Sequence, residues 1–568
     1  MSHDVALKIA PVEYGEVFTR EWVAQTMLDL VGYTAAKDLV HLRLVEPSCG
    51  SGAFLLPAIS RLLRSLDRSD GWEDEQALED AIRAYDLQQS NVEHCQVAAQ
   101  ALLEQHGVDV GRARRLSRLW VQRQDYLLSA DVEPNLFVDE VPSSEVDVVI
   151  GNPPYIRLED VADDLTAAYR LRWKTMSGRA DIYVGFFERA LRSLRPGGRL
   201  AFICADRWMR NQYGSALRQF VGQRYSVDCV WTMHDVDAFE SVVAAYPAIT
   251  LLSRRPQGLA VVADTTSSFG EESAAELAAW SMDEQAVPID EQSASTSGVG
   301  YQAYRLPHWF PGDEMWPSGS PARLALIEHL NDNFRSLHDP AGGTRVGIGI
   351  ATGADKVYVT AEDDLVETDR LLPLAMSADT RTGKFQWSGN YLVNPWDEEG
   401  GLVDLSRYPR LEDYYARNID SLVGRHTAKS KPRQWYRTID KVNNDLIAKP
   451  KLLIQDMRTT INPVWEPGGH YPHHNLYFVV SDQWDLKVLG GILLSRIAQA
   501  FIEAYCVRMR GNTLRFQAQY LKRIRLPEFD TLEADVKESL VEAFDARDVE
   551  KATEAALRAY KLDRNVLD

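Results

Sequence analysis

At 568 residues the chain is too long for one compact core and is expected to divide into two or three domains. Hydrophobic residues make up 45% and charged residues 25%, a globular balance, and no run of about 18 apolar residues offers a membrane span. A formal net charge of −20 argues against a uniformly basic polyanion binder, and Cys49, Cys95, Cys204, Cys229 and Cys506, never spaced CxxC, argue against a disulfide framework or a zinc site. The opening MSHDVALKIAPVEYGE lacks a basic stretch followed by an apolar core, so a cytoplasmic location is expected.

From about residue 16 to 255, helical patterns alternate with short apolar runs: HLRLVEP (41–47), DVVIGNPP (147–154), GRLAFICA (198–205), CVWTM (229–233) and AITLLS (248–253). Such runs suit strands buried on both faces, so the fold class expected for residues 1–260 is α/β, a doubly wound, mostly parallel sheet. Residues 261–300 read as a linker, with EESAAELAAW (271–280) a helical candidate and EQSASTSGVG a flexible stretch. Residues 301–530, irregular and rich in tryptophan and tyrosine, read as a second, mixed α+β domain. Residues 531–568 read as a closing helical segment.

The first apolar run leads into Glu46-Pro47-Ser48-Cys49-Gly50-Ser51-Gly52, a strand, a glycine-bearing turn and then a helix. Glycine at positions 50 and 52 lets the backbone turn sharply and approach a ligand. Asp86 falls at the end of a second strand in AIRAYDLQQSNV, where a carboxylate can accept from both hydroxyls of a ribose. A third strand, WVQRQDYLL, ends with Asp125 and Tyr126, where a carboxylate can accept from an adenine amino group.

The sharpest feature is Asn152-Pro153-Pro154-Tyr155, delivered at the carboxyl end of the strand DVVIG. That edge of a parallel sheet is where ligands bind. The prolines fix φ, so the Asn152 side-chain oxygen and the Pro153 carbonyl can converge as two acceptors on one amino group. Such an amino group, its lone pair delocalised into a ring or carbonyl, is a poor nucleophile. Acceptors on its hydrogens localise the pair, an effect that grows as positive charge develops. Tyr155 offers a flat face for a base turned out of its stack.

Together these residues resemble the gamma-class N6-adenine DNA methyltransferases of bacterial restriction-modification systems, related to the Taq I and Eco57I methylases. The resemblance is strong over residues 14–255 and diffuse to about 530. It implies S-adenosylmethionine as cofactor, transfer to N6 of a flipped adenine in double-stranded DNA, and a carboxyl-terminal target recognition domain. By resemblance GEVFTREWVAQTML places Thr19 near the cofactor methionine, and Glu46, Ser48, Gly50 and Gly52 form the methionine-binding turn. Asp86 is then the ribose ligand, Asp125 and Tyr126 meet the cofactor adenine, and Phe186, in DIYVGFF, packs on that ring. Phe239 occupies the place of the aromatic that stacks on the target base opposite Tyr155. A helical insert at about 61–80 is a departure from the family pattern. RVGIGIATGADKVYV (345–359) and RGNTLRFQAQYLKRIRLP (510–527) resemble segments of the recognition domains. No metal is implied, a monomer is expected, and a separate restriction nuclease or defence-complex subunits are the candidate protein partners.

Charge divides unevenly along the chain. Residues 1–300 carry 28 Lys+Arg against 44 Asp+Glu, and residues 301–568 carry 34 against 38. Within 425–458 there are nine basic and three acidic side chains, so DNA phosphates are expected against Arg425, Lys429, Lys431, Arg433, Arg437 and Lys441. Three alternatives stay open at this point. Release-factor glutamine methyltransferases carry the same tetrapeptide followed by Ile, as here at Ile156, though on much shorter chains. N4-cytosine methylation more often uses a tetrapeptide beginning with Ser. A silent DNA-binding subunit would have no need of Asn152, Tyr155 and Asp86 together.

Overall fold

The computed structural model describes residues 17–68, 71–128, 146–241, 246–283, 295–319, 321–506, 508–509 and 513–567. The chain falls into two compact units, one ending at Trp316 and the other beginning at Pro317.

The first unit is built on a ten-stranded sheet. Its strands are β1 (Leu44–Glu46), β2 (Ile82–Asp86), β3 (Val121–Arg123), β4 (Val146–Gly151), β5 (Leu194–Ala205), β6 (Ser226–Thr232), β7 (Pro247–Ser253), β8 (Ala260–Thr265), β9 (Ser295–Gly298) and β10 (Tyr301–Leu306). They are ordered β3-β2-β1-β4-β5-β7-β6-β8-β10-β9. The run from β3 to β5 is parallel, and β7 enters antiparallel between β5 and β6. Chain order reverses direction between β1 and β4, which opens a crevice at their carboxyl ends.

Apolar runs become central strands here because both faces are covered. Along β4, Val148 and Ile150 enter one core while Val146 and Val149 enter the other. On β5, Ala201 and Ile203 point one way and Leu200, Phe202 and Cys204 the other, the period of two expected of a strand. Helices Glu21–Leu30, Leu55–Leu66 and Gln89–Gln105 cover the first face, and Tyr183–Ser193 covers the second. The doubly wound α/β architecture expected from the sequence is therefore the one observed.

The linker expected at 261–300 is replaced by sheet. Most of β8 lies in that range and pairs in parallel with β6, β10 follows antiparallel, and helix Glu271–Met282 packs on the first core. The reason is burial: Val261, Val262 and Ala263 fill both faces of the sheet, a role that the polar stretches flanking them obscured. Within that range, residues 284–294 lie outside the described residues.

The second unit is mixed, as expected. Thr344–Ile348, Leu476–Ser481, Lys451–Gln455 and Val464–Glu466 form an antiparallel four-stranded sheet. The closing segment is two helices, Ala534–Ala546 and Val549–Tyr560, separated at Arg547, which adopts φ 59°. Among the described residues no single helix is long and apolar enough to cross a membrane. All five cysteines are buried.

Candidate active site at the carboxyl ends of the parallel strands

Register brings the sequence motifs to one edge. Leu44 pairs with both Ile82 and Val148, so Glu46, Asp86 and Gly151 end their strands side by side. One cleft is lined there by Thr19, Glu46, Ser48, Gly50, Asp86, Asp125, Tyr126, Asn152, Pro153, Pro154 and Phe186. These groups come from six separate stretches of the chain, and folding alone brings them together.

The turn after β1 is shaped by glycine. Gly50 and Gly52 hold φ of 48° and 90°, in the left-handed region. A Cβ on Gly52 would lie 3.1 Å from Leu56 and 3.3 Å from the Cys95 sulfur, so Gly52 makes the turn and does not line the cleft. Helix Leu55–Leu66 follows with no side-chain cap; the Leu56 N–H donates to the Gly52 carbonyl and the Ala58 N–H to the Phe54 carbonyl, and Pro57 has no N–H to offer.

Glu46 is buried, and neither of its carboxylate oxygens has a formed hydrogen bond. Burial pushes its carboxyl well above the usual range, helped by the nearby Cys95 and Asp86; the backbone N–H of Leu55 offsets this in part. Asp86 accepts from the backbone N–H of Gly50 at 2.9 Å and of Gln88 at 2.8 Å, and from Asn91 Nδ2 at 3.3 Å. Its carboxyl is raised by burial against those bonds.

Asp125 accepts from the Leu127 N–H at 2.8 Å and from the Tyr169 hydroxyl at 2.8 Å. Tyr126 packs against Phe186 with ring centroids 5.4 Å apart, and the Arg189 guanidinium sits 4.1 Å from its centroid. Burial pushes the Tyr126 hydroxyl up to about 12.

The geometry at Asn152 is the most telling. Its Nδ2 donates to the Val17 carbonyl at 2.9 Å and to the Thr19 hydroxyl oxygen at 3.1 Å. Two acceptors consume both amide hydrogens and fix the amide's orientation. Its Oδ1 is buried with no partner. The Ser48 hydroxyl donates to the Asn152 backbone carbonyl at 3.1 Å, tying the two motifs together.

Tyr155 does not line that cleft. Its hydroxyl donates to the Ile203 carbonyl at 3.3 Å, and its ring meets the edge of Tyr183 with centroids 6.5 Å apart. Burial holds the Tyr155 hydroxyl neutral, far above its ordinary range. Behind it the Tyr183 and Tyr213 hydroxyls are 2.7 Å apart, and Tyr213 donates to Asp181 at 2.9 Å. Phe239 is buried in the first core at 6% exposure, and its backbone bridges to Thr19.

Thr19, placed by resemblance near the cofactor methionine, lines the cleft and also accepts from the Asn152 amide through its side-chain oxygen. The Val17 carbonyl and Tyr169 were not anticipated, because a backbone acceptor leaves no side-chain signature and Tyr169 lies in an ordinary polar helix, Asp163–Arg172.

In the second unit Lys429, Lys431, Arg433 and Lys441 are exposed and Arg437 is half-buried. Arg425 is the exception in the basic segment. Its guanidinium donates to the carbonyls of Leu422, Thr352 and Trp435 and to the Tyr358 hydroxyl, so it holds loops together and has no face turned to phosphate.

A sheet of this order, with an acidic strand end beside an Asn-Pro-Pro-Tyr strand end, defines an amino-methyltransferase type of site. Residues 87–239 match the Eco57I restriction-modification methylase family. The chain is 42% identical over 554 residues to the type II methyltransferase M.PaeR7I of Pseudomonas aeruginosa, covering 96% of this chain and 92% of that one. It is 39% identical over 558 residues to M.XhoI of Xanthomonas vasicola, covering 97% and 98%. The chain belongs to the type II restriction-modification DNA methyltransferases. Among solved structures, the type IIL restriction-modification enzyme MmeI in complex with DNA shares the fold with a TM-score of 0.58 at 10% identity, over 96% of this chain and 74% of that one.

Proposed function

We propose that the protein transfers a methyl group from S-adenosylmethionine to N6 of an adenine flipped out of double-stranded DNA. The observation that carries this reading is the Asn152 amide: its hydrogens are held by Val17 and Thr19, and its oxygen is buried, unpartnered and beside the cleft. A buried acceptor without a donor is rare unless a ligand supplies one.

The cleft fits the cofactor on its own chemistry. Glu46, a buried carboxylate without a partner, suits the cofactor's ammonium group. Asp86 suits the cofactor's ribose hydroxyls, and Asp125 with Phe186 its adenine. When bound, the cofactor supplies an electrophilic methyl carbon.

The residues of the chain do the rest. Asn152 Oδ1 and the Pro153 carbonyl accept the two hydrogens of the target amino group, and both bonds strengthen as that nitrogen becomes positive. Tyr155 is assigned to one face of the base, with stacking worth about 1–3 kcal/mol per base against the cost of unpairing, and Phe239, buried in the first core, is not. The surplus proton leaves to solvent after transfer, so no general base is assigned. Exposed Lys429, Lys431, Arg433 and Lys441, with Arg437, are assigned to DNA phosphates, and Arg425 is not.

The test is to express the chain in a host without adenine methylation and sequence the genome by a method that distinguishes modified bases. N6-methyladenine at one recurring motif, lost in Asn152→Ala, supports the reading. N4-methylcytosine at such a motif would overturn the adenine assignment. Unmodified DNA alongside methylated protein glutamine would overturn the DNA substrate.

A further inference from the structure

In the second unit, remote in sequence from every residue assigned above to methyl transfer, one nitrogen from each of the adjacent imidazoles of His473 and His474 lies within 4.8 Å of a carboxylate oxygen of Asp355 and of the other imidazole nitrogen. We propose that Asp355, His473 and His474 bind a divalent first-row transition ion, with zinc the best match to the donors. Two imidazoles and one carboxylate are borderline ligands that suit zinc, cobalt or nickel. Magnesium and calcium call for oxygen donors throughout.

The spacing fits. Tetrahedral ligands about 2.0–2.1 Å from zinc stand about 3.3 Å from one another, and His473 Nε2 is 3.1 Å from Asp355 Oδ2. The Thr352 hydroxyl donates to the other carboxylate oxygen and orients it, the usual support for a ligating carboxylate. His473 is 1% exposed, whereas the Asp355 side chain is 45% exposed. The ion therefore has a route in and room for a water in the fourth position.

A second observation points the same way. His474 Nδ1 is buried without a hydrogen-bond partner. A plain histidine–aspartate hydrogen bond accounts for His473 Nε2 and Asp355 but leaves His474 Nδ1 unsatisfied, its ring 4.0 Å from that of His473. Buried side-chain nitrogens in folded chains are normally satisfied.

The site has a structural consequence. Asp355 and His473 are 118 positions apart, and the segments carrying them already meet through the Ile350–His473 bridge and the bond from His474 N–H to the Ile350 carbonyl. The same loop holds the basic segment: Asp440 and Ile439 donate backbone N–H groups to Ala351 and Thr352, and Arg425 Nη1 donates to Thr352. An ion there braces the loop from which Lys429, Lys431, Arg433 and Lys441 project.

The experiment uses the full chain, free of any affinity tag, stripped by a chelator and dialysed, then titrated with Co²⁺ alone while visible ligand-field absorption is followed. Stoichiometric binding with four- or five-coordinate bands is expected, displaced by Zn²⁺. Asp355→Asn and His474→Gln should each weaken binding by at least about tenfold. S-adenosylmethionine binding serves as the folding control for both variants. Absence of ligand-field bands in folded wild-type protein at saturating Co²⁺ would overturn the proposal, and so would bands that persist unchanged in both variants. If a variant loses its fold, the wild-type titration decides alone, with protection of the His473–His474 peptide from histidine-directed modification upon Zn²⁺ addition as the second readout. Neither readout depends on methyl transfer, so the two proposals fail separately.

Discussion

Replacing Thr19 with valine is an isosteric change that removes one of the two acceptors for the Asn152 amide while keeping the volume of the site. The 3.1 Å bond from Nδ2 is lost and the 2.9 Å bond to the Val17 carbonyl remains. A buried amide hydrogen left unsatisfied costs about 1–3 kcal/mol. The amide then escapes that cost by rotating or shifting, which takes Oδ1 away from the position where it must receive a hydrogen. If the whole penalty appears in the transition state, single-turnover transfer slows by about 5- to 150-fold. Thr19→Ser keeps the hydroxyl oxygen and should restore most of the rate. The assay is transfer of a labelled methyl group to cognate DNA at saturating enzyme, paired with S-adenosylmethionine affinity by calorimetry. Affinity should change little. A rate within twofold of wild type would refute the orienting role, and a loss of affinity with an unchanged rate would return Thr19 to the cofactor site that the family resemblance implied.

Asn152→Ala should lower single-turnover transfer by about 10²- to 10³-fold or more, the scale for deleting one preorganised polar contact to a transition state, with cofactor affinity retained. Tyr155→Ala should act less completely, on the scale of about 1–3 kcal/mol per stacked base, and parallel rate and cofactor titrations check both. Glu46→Gln should weaken S-adenosylmethionine binding and remove a pH-dependent loss of stability from the cofactor-free protein, because it removes a carboxyl whose ionised form is buried without a partner. The sign follows from linkage. The folded Glu46 carboxyl lies above its unfolded value, so the folded state holds the proton more tightly and cofactor-free stability falls as pH rises through the raised value. Thermal melts of both proteins against pH should show that fall in wild type and a weaker one in the variant; identical profiles would remove the argument. Replacing Lys429, Lys431 and Arg433 together by alanine should weaken DNA binding across sequences. Its salt dependence should shrink by about 0.9 in log–log slope for each phosphate no longer neutralised. An unchanged slope would move the phosphate surface elsewhere.

Particular residues show how far the chain could be read before folding. The glycine turn was legible because positive φ at Gly50 and Gly52 is a local demand that few other residues meet. Asn-Pro-Pro-Tyr was legible because its stiffness is covalent. Residues 261–265 were misread because short strands next to polar segments carry little periodic signal, and only pairing with β6 and burial of Val261 and Ala263 reveal them, whereas the helical pattern of EESAAELAAW was legible. Arg425 was misread for a related reason: a guanidinium in a basic run looks free until the carbonyls of Thr352, Leu422 and Trp435 are known to surround it.

The order of motifs, the strand ends that carry them and the chemical types of Glu46, Asp86 and Asn152 are properties of the covalent chain, since each depends on neighbours within a few bonds. Tertiary structure alone decided that Val17 and Thr19 hold the Asn152 amide nitrogen, that Tyr169 holds Asp125, and that His473 and His474 meet Asp355. Those outcomes join atoms distant along the backbone. Their hydrogen bonds depend on the positions of whole strands and loops, which no local pattern of residues encodes.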